Sequence, residues 1–103
     1  MAEVKIKDKK YKVNELKYKD IRKMEKYRED NKMDLLEFDV YILLYTLQKF
    51  NPELAKTTLD EFDELLDITQ IDRIKEEINN PSGFNKYVEK TKEKNLTRGI
   101  GKK

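Results

Sequence analysis

The chain has 103 residues, 43% of them charged and 37% hydrophobic, and a formal net charge of +2. That length fits one domain with a modest core, and so much charge must lie on solvated helix faces. Cysteine and histidine are both absent, which excludes disulfides, thiolate metal sites and the usual nucleophile–base pairs of enzymes.

The N-terminal stretch MAEVKIKDKK has no apolar h-region, so no signal peptide is expected, and Asn95-Leu96-Thr97 is a chance sequon. The absence of cysteine suits a cytosolic compartment. Charge is unevenly distributed. Residues 1–28 carry 11 Lys/Arg against 5 Asp/Glu, residues 29–78 carry 5 against 14, and residues 79–103 carry 7 against 2. A basic–acidic–basic chain can fold its ends onto its middle, associate with copies of itself, or meet a partner of mixed charge.

Val4–Val13 reads as a β-hairpin, with Val4, Ile6, Tyr11 and Val13 alternating with lysines. A two-residue loop at Asp8-Lys9 sets Ile6 opposite Tyr11 and Val4 opposite Val13 on one face. It also sets Lys5 opposite Lys12 and Lys7 opposite Lys10, which costs a few tenths of a kcal/mol per pair. The lysines blunt an exposed edge against aggregation, and the apolar face must pack on helices to be stable.

Leu16 to about Arg28 is a first helix, with Tyr18, Ile21, Met24 and Tyr27 near helical spacing. A polar connection, residues 29–32, follows. Met33–Phe50 is the one long apolar run, with twelve apolar or aromatic residues among its eighteen. Its apolar residues form two stripes. One holds Leu36, Val40, Leu43, Leu44, Leu47 and Phe50; the other holds Leu35, Phe38, Tyr41, Ile42 and Tyr45. Glu37, Gln48, Asp39 and Thr46 separate them. A helix apolar on two faces must be covered on two sides, so this is the central helix, capped by Asn31 or Asp34. Glu37, Asp39 and Lys49 interrupt the run, which argues against a membrane span.

Asn51-Pro52 stops the central helix. A loop over residues 53–57 leads to Thr58, whose spacing to Glu61 fits a capping box. The short helix that follows, Leu59–Asp67, places Leu59, Phe62, Leu65 and Leu66 on one face. Thr69 with Asp72 reads as a second cap, and Ile71, Ile74 and Ile78 are the apolar line of the next helix. Residues 79–83, NNPSG, are a strong stop. Phe84, Tyr87 and Val88 form a last amphipathic turn or two, and residues 95–103 are expected to fray. The fold class is therefore α+β and mostly helical: a hairpin packed on about four helices around a central apolar one. Residues 1–80 form the globular domain, and residues 81–103 a short basic extension.

No catalytic, metal or cofactor site is expected. Ser82 lies in a turn with no imidazole to activate it, and the carboxylates at Asp60, Glu61, Asp63, Glu64 and Asp67 lack the spacing and glycine of a calcium loop. The three glycines, Gly83, Gly99 and Gly101, make no phosphate loop. Tyrosines among the basic ends invite a nucleic-acid reading, but arginine is scarce and the acidic helices would repel phosphate.

The order of elements is similar to that of the small tail assembly chaperones of long-tailed bacteriophages and prophage-like elements. The resemblance covers roughly residues 3–78. It is carried by VKIKDKKYKV, LKYKDIRKMEKY, the Asn-Pro-Glu-Leu turn and TTLDEFDELLDITQIDRIKEEI. The hairpin turn departs from it, since Asp8-Lys9-Lys10 lacks an expected glycine. The resemblance implies a non-catalytic protein of the host bacterial cytoplasm that binds the tape measure protein, and sometimes tail tube subunits, before the tube polymerises. It also implies a longer frameshifted product, for which Gly101-Lys102-Lys103 can be encoded by a slippery run. The expected contact residues are Leu59, Asp60, Phe62, Asp63, Glu64 and Leu66, with Phe84 and Tyr87 from the extension. Against this stands the reading that the apolar members simply cover the central helix. The competing function is a small intracellular adaptor or regulatory domain that binds protein or nucleic acid.

Overall fold

A computed structural model of the chain describes residues 2–88. Two antiparallel strands, β1 (Ala2–Ile6) and β2 (Lys9–Val13), are followed by α1 (Tyr18–Asn31), α2 (Leu35–Phe50), a 3₁₀ turn (Pro52–Leu54), α3 (Leu59–Asp63) and α4 (Ile71–Asn79). Residues 84–88 are again helical. The fold is α+β and mostly helical, as the residue pattern predicts. The expectations for residues 95–103 and for the frameshift site lie outside the described residues.

The hairpin turns at Lys7-Asp8, one residue earlier than the spacing suggests. Val4 therefore faces Tyr11, Lys5 faces Lys10 and Glu3 faces Lys12. The predicted register, with Ile6 opposite Tyr11, is displaced by one complete pleat, so the same side chains still point inward. The displacement replaces two lysine–lysine pairs by one, and adds an opposite-charge pair at Glu3–Lys12. Its cost is borne by Lys7, held in the left-handed region at φ 57°.

Helix α1 runs three residues further than expected, through the polar residues Glu29, Asp30 and Asn31. Lys32 ends it in the left-handed conformation, its N–H donating to Glu29 O. Asp34 caps α2 by accepting from the Glu37 N–H at 2.8 Å. The predicted Thr58 capping box forms: the Thr58 hydroxyl accepts from the Glu61 N–H at 3.1 Å, and the Glu61 carboxylate accepts from the Thr58 N–H at 3.0 Å. Thr69 caps nothing. The Gln70 N–H donates to Asp67 O, and this tight turn carries the chain directly into α4.

The two stripes of α2 enter two separate cores. Leu43, Leu44 and Leu47 meet Val4, Ile6, Tyr11 and Val13 of the hairpin, together with Leu54, Phe62, Ile74 and Ile78. Phe38 and Ile42 meet Ile21 and Met24 of α1, then Met33 and Phe84. Thr46, expected at the boundary between stripes, is fully buried, which its hydroxyl tolerates by donating to Ile42 O at 2.8 Å. Packing does not stop at residue 80: Ser82 and Phe84 are buried, and Ser82 O accepts from the Leu16 N–H at 3.0 Å.

Asn51 joins the end of α2 to the hairpin. Its Nδ2 donates to Leu47 O at 2.8 Å and to Lys12 O at 2.9 Å, and its Oδ1 accepts from the Lys12 N–H at 2.9 Å. All three bonds are part-buried or buried. Replacing Asn51 by Ala strands three backbone groups, and roughly 2–4 kcal/mol of stability should be lost, seen as a Tm drop of more than ~10 °C. Lys7→Gly relieves the left-handed turn, worth roughly 1–2 kcal/mol, and loses the exposed Lys7–Asp67 ion pair, worth about 0–1 kcal/mol, so the same melts should show a net gain of up to roughly 1 kcal/mol.

Candidate partner-binding groove

The sequence places α2 at the centre, and its covering elements are shorter than it is. Helix α3 has only five residues and α4 nine. Both lie against α2 but leave the outer side of its first turns uncovered. A groove of about 560 Å³ results, bounded by α2, α3, α4 and the turn between the last two. Its floor is apolar: Val40 and Leu43 from α2, Leu59 from α3, Leu66 from the following turn, and Ile71 from α4. Its lips are Leu36, 79% exposed, and Ile68, 92% exposed. Leu35, beside Leu36 on α2, is 70% exposed. Charged side chains rim the groove: Glu37 and Asp39 from α2, Asp60 and Asp63 from α3, Asp72 and Lys75 from α4.

The walls are held by contacts that depend on particular residues. The Lys75 ammonium pairs with Asp39 at 3.1 Å, bridging α4 to α2. The Thr58 box fixes the start of α3, and the Thr58 N–H and hydroxyl, both donating to the Glu61 carboxylate, hold that carboxyl below the usual range. After Asp63 the chain tightens: the Leu65 N–H donates to Phe62 O and the Leu66 N–H to Asp63 O. These shorter bonds end α3 four residues before the expected Asp67. They also divide the leucine pair. Leu66 turns into the groove, whereas Leu65 lines a second, smaller cleft beside Lys5, Lys7 and Arg73. One face for Leu59, Phe62, Leu65 and Leu66 is therefore not what forms.

Of the residues expected to touch a partner, the fold brings Leu59, Asp60, Asp63 and Leu66 together at the groove. Phe62 is fully buried in the first core and out of a partner's reach. Glu64 is exposed but does not line the groove. Phe84 and Tyr87 pack on the second core, where Tyr87 meets Tyr18 edge-on at 6.4 Å. They are apart from the groove. Leu36 and Ile68 were not anticipated. Leu36 was assigned to a covered stripe. Ile68 carried a readable signal: a large aliphatic residue in a polar turn, belonging to neither neighbouring apolar line.

The densest titratable cluster lies elsewhere, at Asp20, Tyr45 and Lys49. Asp20 is 3% exposed. One carboxylate oxygen accepts from the Tyr45 hydroxyl at 2.8 Å; the other accepts from the Lys17 N–H at 2.7 Å and from the Lys49 ammonium. Burial pushes the Asp20 carboxyl up, but hydrogen bonds from Lys49, Lys17 and Tyr45 and the charge of Lys49 outweigh it and hold it at about 2. Burial, then the Asp20 hydrogen bond and charge, push the Tyr45 hydroxyl well up. With both oxygens hydrogen-bonded, the cluster is a joint between α1 and α2. Among the described residues no group of acidic side chains is arranged to hold a metal ion, and no helix is long and apolar enough to cross a membrane.

Comparison with known protein families, curated proteins and solved structures finds no match for the chain.

A carboxylate held low stabilises the folded chain above its unfolded pKa, and that contribution disappears as pH falls through the folded value. The Asp20 joint should therefore contribute about 2 kcal/mol at neutral pH and lose it between roughly pH 4 and pH 2. Asp20→Asn should be less stable than the parent at pH 7, with the gap closing by pH 2 in chemical denaturation.

Proposed function

We propose that the chain is a non-catalytic tail assembly chaperone. In this reading it binds the tape measure protein, and in some settings tail tube subunits, in the host bacterial cytoplasm and keeps the bound protein soluble until the tube forms. The observation that carries the reading is the groove. Leu36 and Ile68, among the most exposed aliphatic side chains of the described residues, line a groove with an apolar floor. An apolar groove with a polar rim is the surface a binding protein uses to take up one apolar stripe of a helix. A long helical protein with uncovered stripes is the client the resemblance implies, and the charged outer faces of the chain would keep the pair in solution.

Co-expression tests this. A tape measure protein that aggregates alone should remain in the soluble fraction with the chain present and be captured with it. The pair of substitutions Leu36→Asp and Ile68→Asp should weaken capture by more than roughly tenfold, since each lip residue loses the burial worth about 1.5–3 kcal/mol. Both side chains face solvent in the free protein, so the melting temperature should stay put. Retention of nucleic acid, or of an unrelated regulatory protein, in place of the tape measure would refute the chaperone reading and favour the adaptor.

A further inference from the structure

We infer that the groove selects a helical segment whose apolar stripe is flanked by lysine or arginine, a specification that rests on the groove being the partner site. The first ground is charge. Asp39 is neutralised by Lys75, but Glu37, Asp60, Asp63 and Asp72 have no ion-pair partner among the described residues. Four carboxylates unpaired among the described residues thus share a groove with an apolar floor. Three of them have a local explanation, since Glu37, Asp60 and Asp72 lie in the first turns of α2, α3 and α4, where a negative charge favours the helix. Asp63 does not. It is the last residue of α3, past the first turn in which a negative charge favours the helix, and no cation among the described residues pairs with it. A cation on a bound partner would pair with it, and would meet Asp60 one turn away on the same helix.

The second ground is the absence of a strand edge. The groove is walled by helices and a turn, and neither β1 nor β2 lines it. An extended peptide would find no ladder to join, and its backbone groups would be left unpaired over apolar surface. A helix satisfies its own backbone and can present side chains at i, i+3 or i+4 and i+7 to Leu36, Leu59, Ile68 and Ile71. Its flanking cations would then fall against the rim.

The test titrates the full chain with three synthetic helical peptides of about 18 residues. They share one leucine stripe and differ only in its flanks, which are Lys, Gln or Glu. Methyl and amide NMR shifts report the site. The Lys-flanked peptide should bind saturably, shifting Leu36, Ile68 and Ile71, and its affinity should fall by roughly tenfold or more between low salt and about 0.3 M. The Glu-flanked peptide should not bind. A chain carrying Asp60→Asn with Asp63→Lys should retain its fold and bind the Lys-flanked peptide at least roughly tenfold more weakly. Equal binding of the Lys- and Gln-flanked peptides in the groove would overturn the basic requirement while leaving the binding groove in place. Failure of all three to shift groove residues would overturn both. Groove shifts on concentrating the chain alone would assign the groove to a second copy, and shifts in the free chain on replacing Leu96 and Ile100 by Ser would assign it to the chain's own C-terminal segment. Either result overturns the proposal.

Discussion

Helix α2 is apolar on two opposed faces, and neither face can be left in water. The stripe through Leu43, Leu44 and Leu47 requires one cover and the stripe through Phe38 and Ile42 another. In a chain this small, one element cannot serve both. The hairpin, α3 and α4 close one side; α1 and the helical residues 84–88 close the other. Each cover is marginal alone, since a two-stranded hairpin and a five-residue helix have too few contacts to persist in water. They are stable only on α2, and α2 is stable only between them.

Two polar joints fix the geometry that apolar packing leaves free. Asn51 ties β2 to the C-terminal end of α2, with both amide N–H donors and one acceptor position of Oδ1 engaged by backbone. Asp20 ties the start of α1 to Tyr45 and Lys49 in the later half of α2. Hydrophobic contact sets which faces meet but tolerates sliding, whereas a buried amide or carboxylate is satisfied at one register only. Both joints therefore sit toward the same end of α2. The groove lies toward the opposite, N-terminal end, where the Lys75–Asp39 ion pair is the side-chain polar link from α4 to α2 among the described residues. That pair is partly exposed and worth little in stability.

The groove follows from unequal lengths. Helix α2 has sixteen residues, and the helices laid on its first turns have five and nine. What they do not cover remains apolar, so Leu36 projects beside them. The turn from Asp67 to Gln70 lifts Ile68 on the far side, anchored where Lys7 pairs with Asp67 at 2.9 Å. A stretch of acidic side chains that reads in the sequence as one solvated face is distributed by the fold around this opening.

Much of the architecture was legible because it depends on local rules. Two apolar stripes on one helix demand two covers; Asn51-Pro52 stops a helix; Asp34 and the Thr58–Glu61 box start helices through bonds made within one turn. The inward face of the hairpin follows from alternation alone. Of the groove-lining residues, Leu59, Asp60, Asp63 and Leu66 were readable as apolar and acidic positions on one short segment. Their neighbours decided the rest. The hairpin register depends on the balance between lysine repulsion and a strained turn at Lys7. The parting of Leu65 from Leu66 depends on where α3 gives way to tighter bonds. The burial of Phe62, the exposure of Leu36 and the use of Ile68 as a lip depend on how far each covering element reaches along α2. Local sequence sets which side of an element is apolar, through periodicities of a few residues. Whether that side is covered is set by packing between elements distant in the chain, so the domain could be read from the sequence and the groove could not.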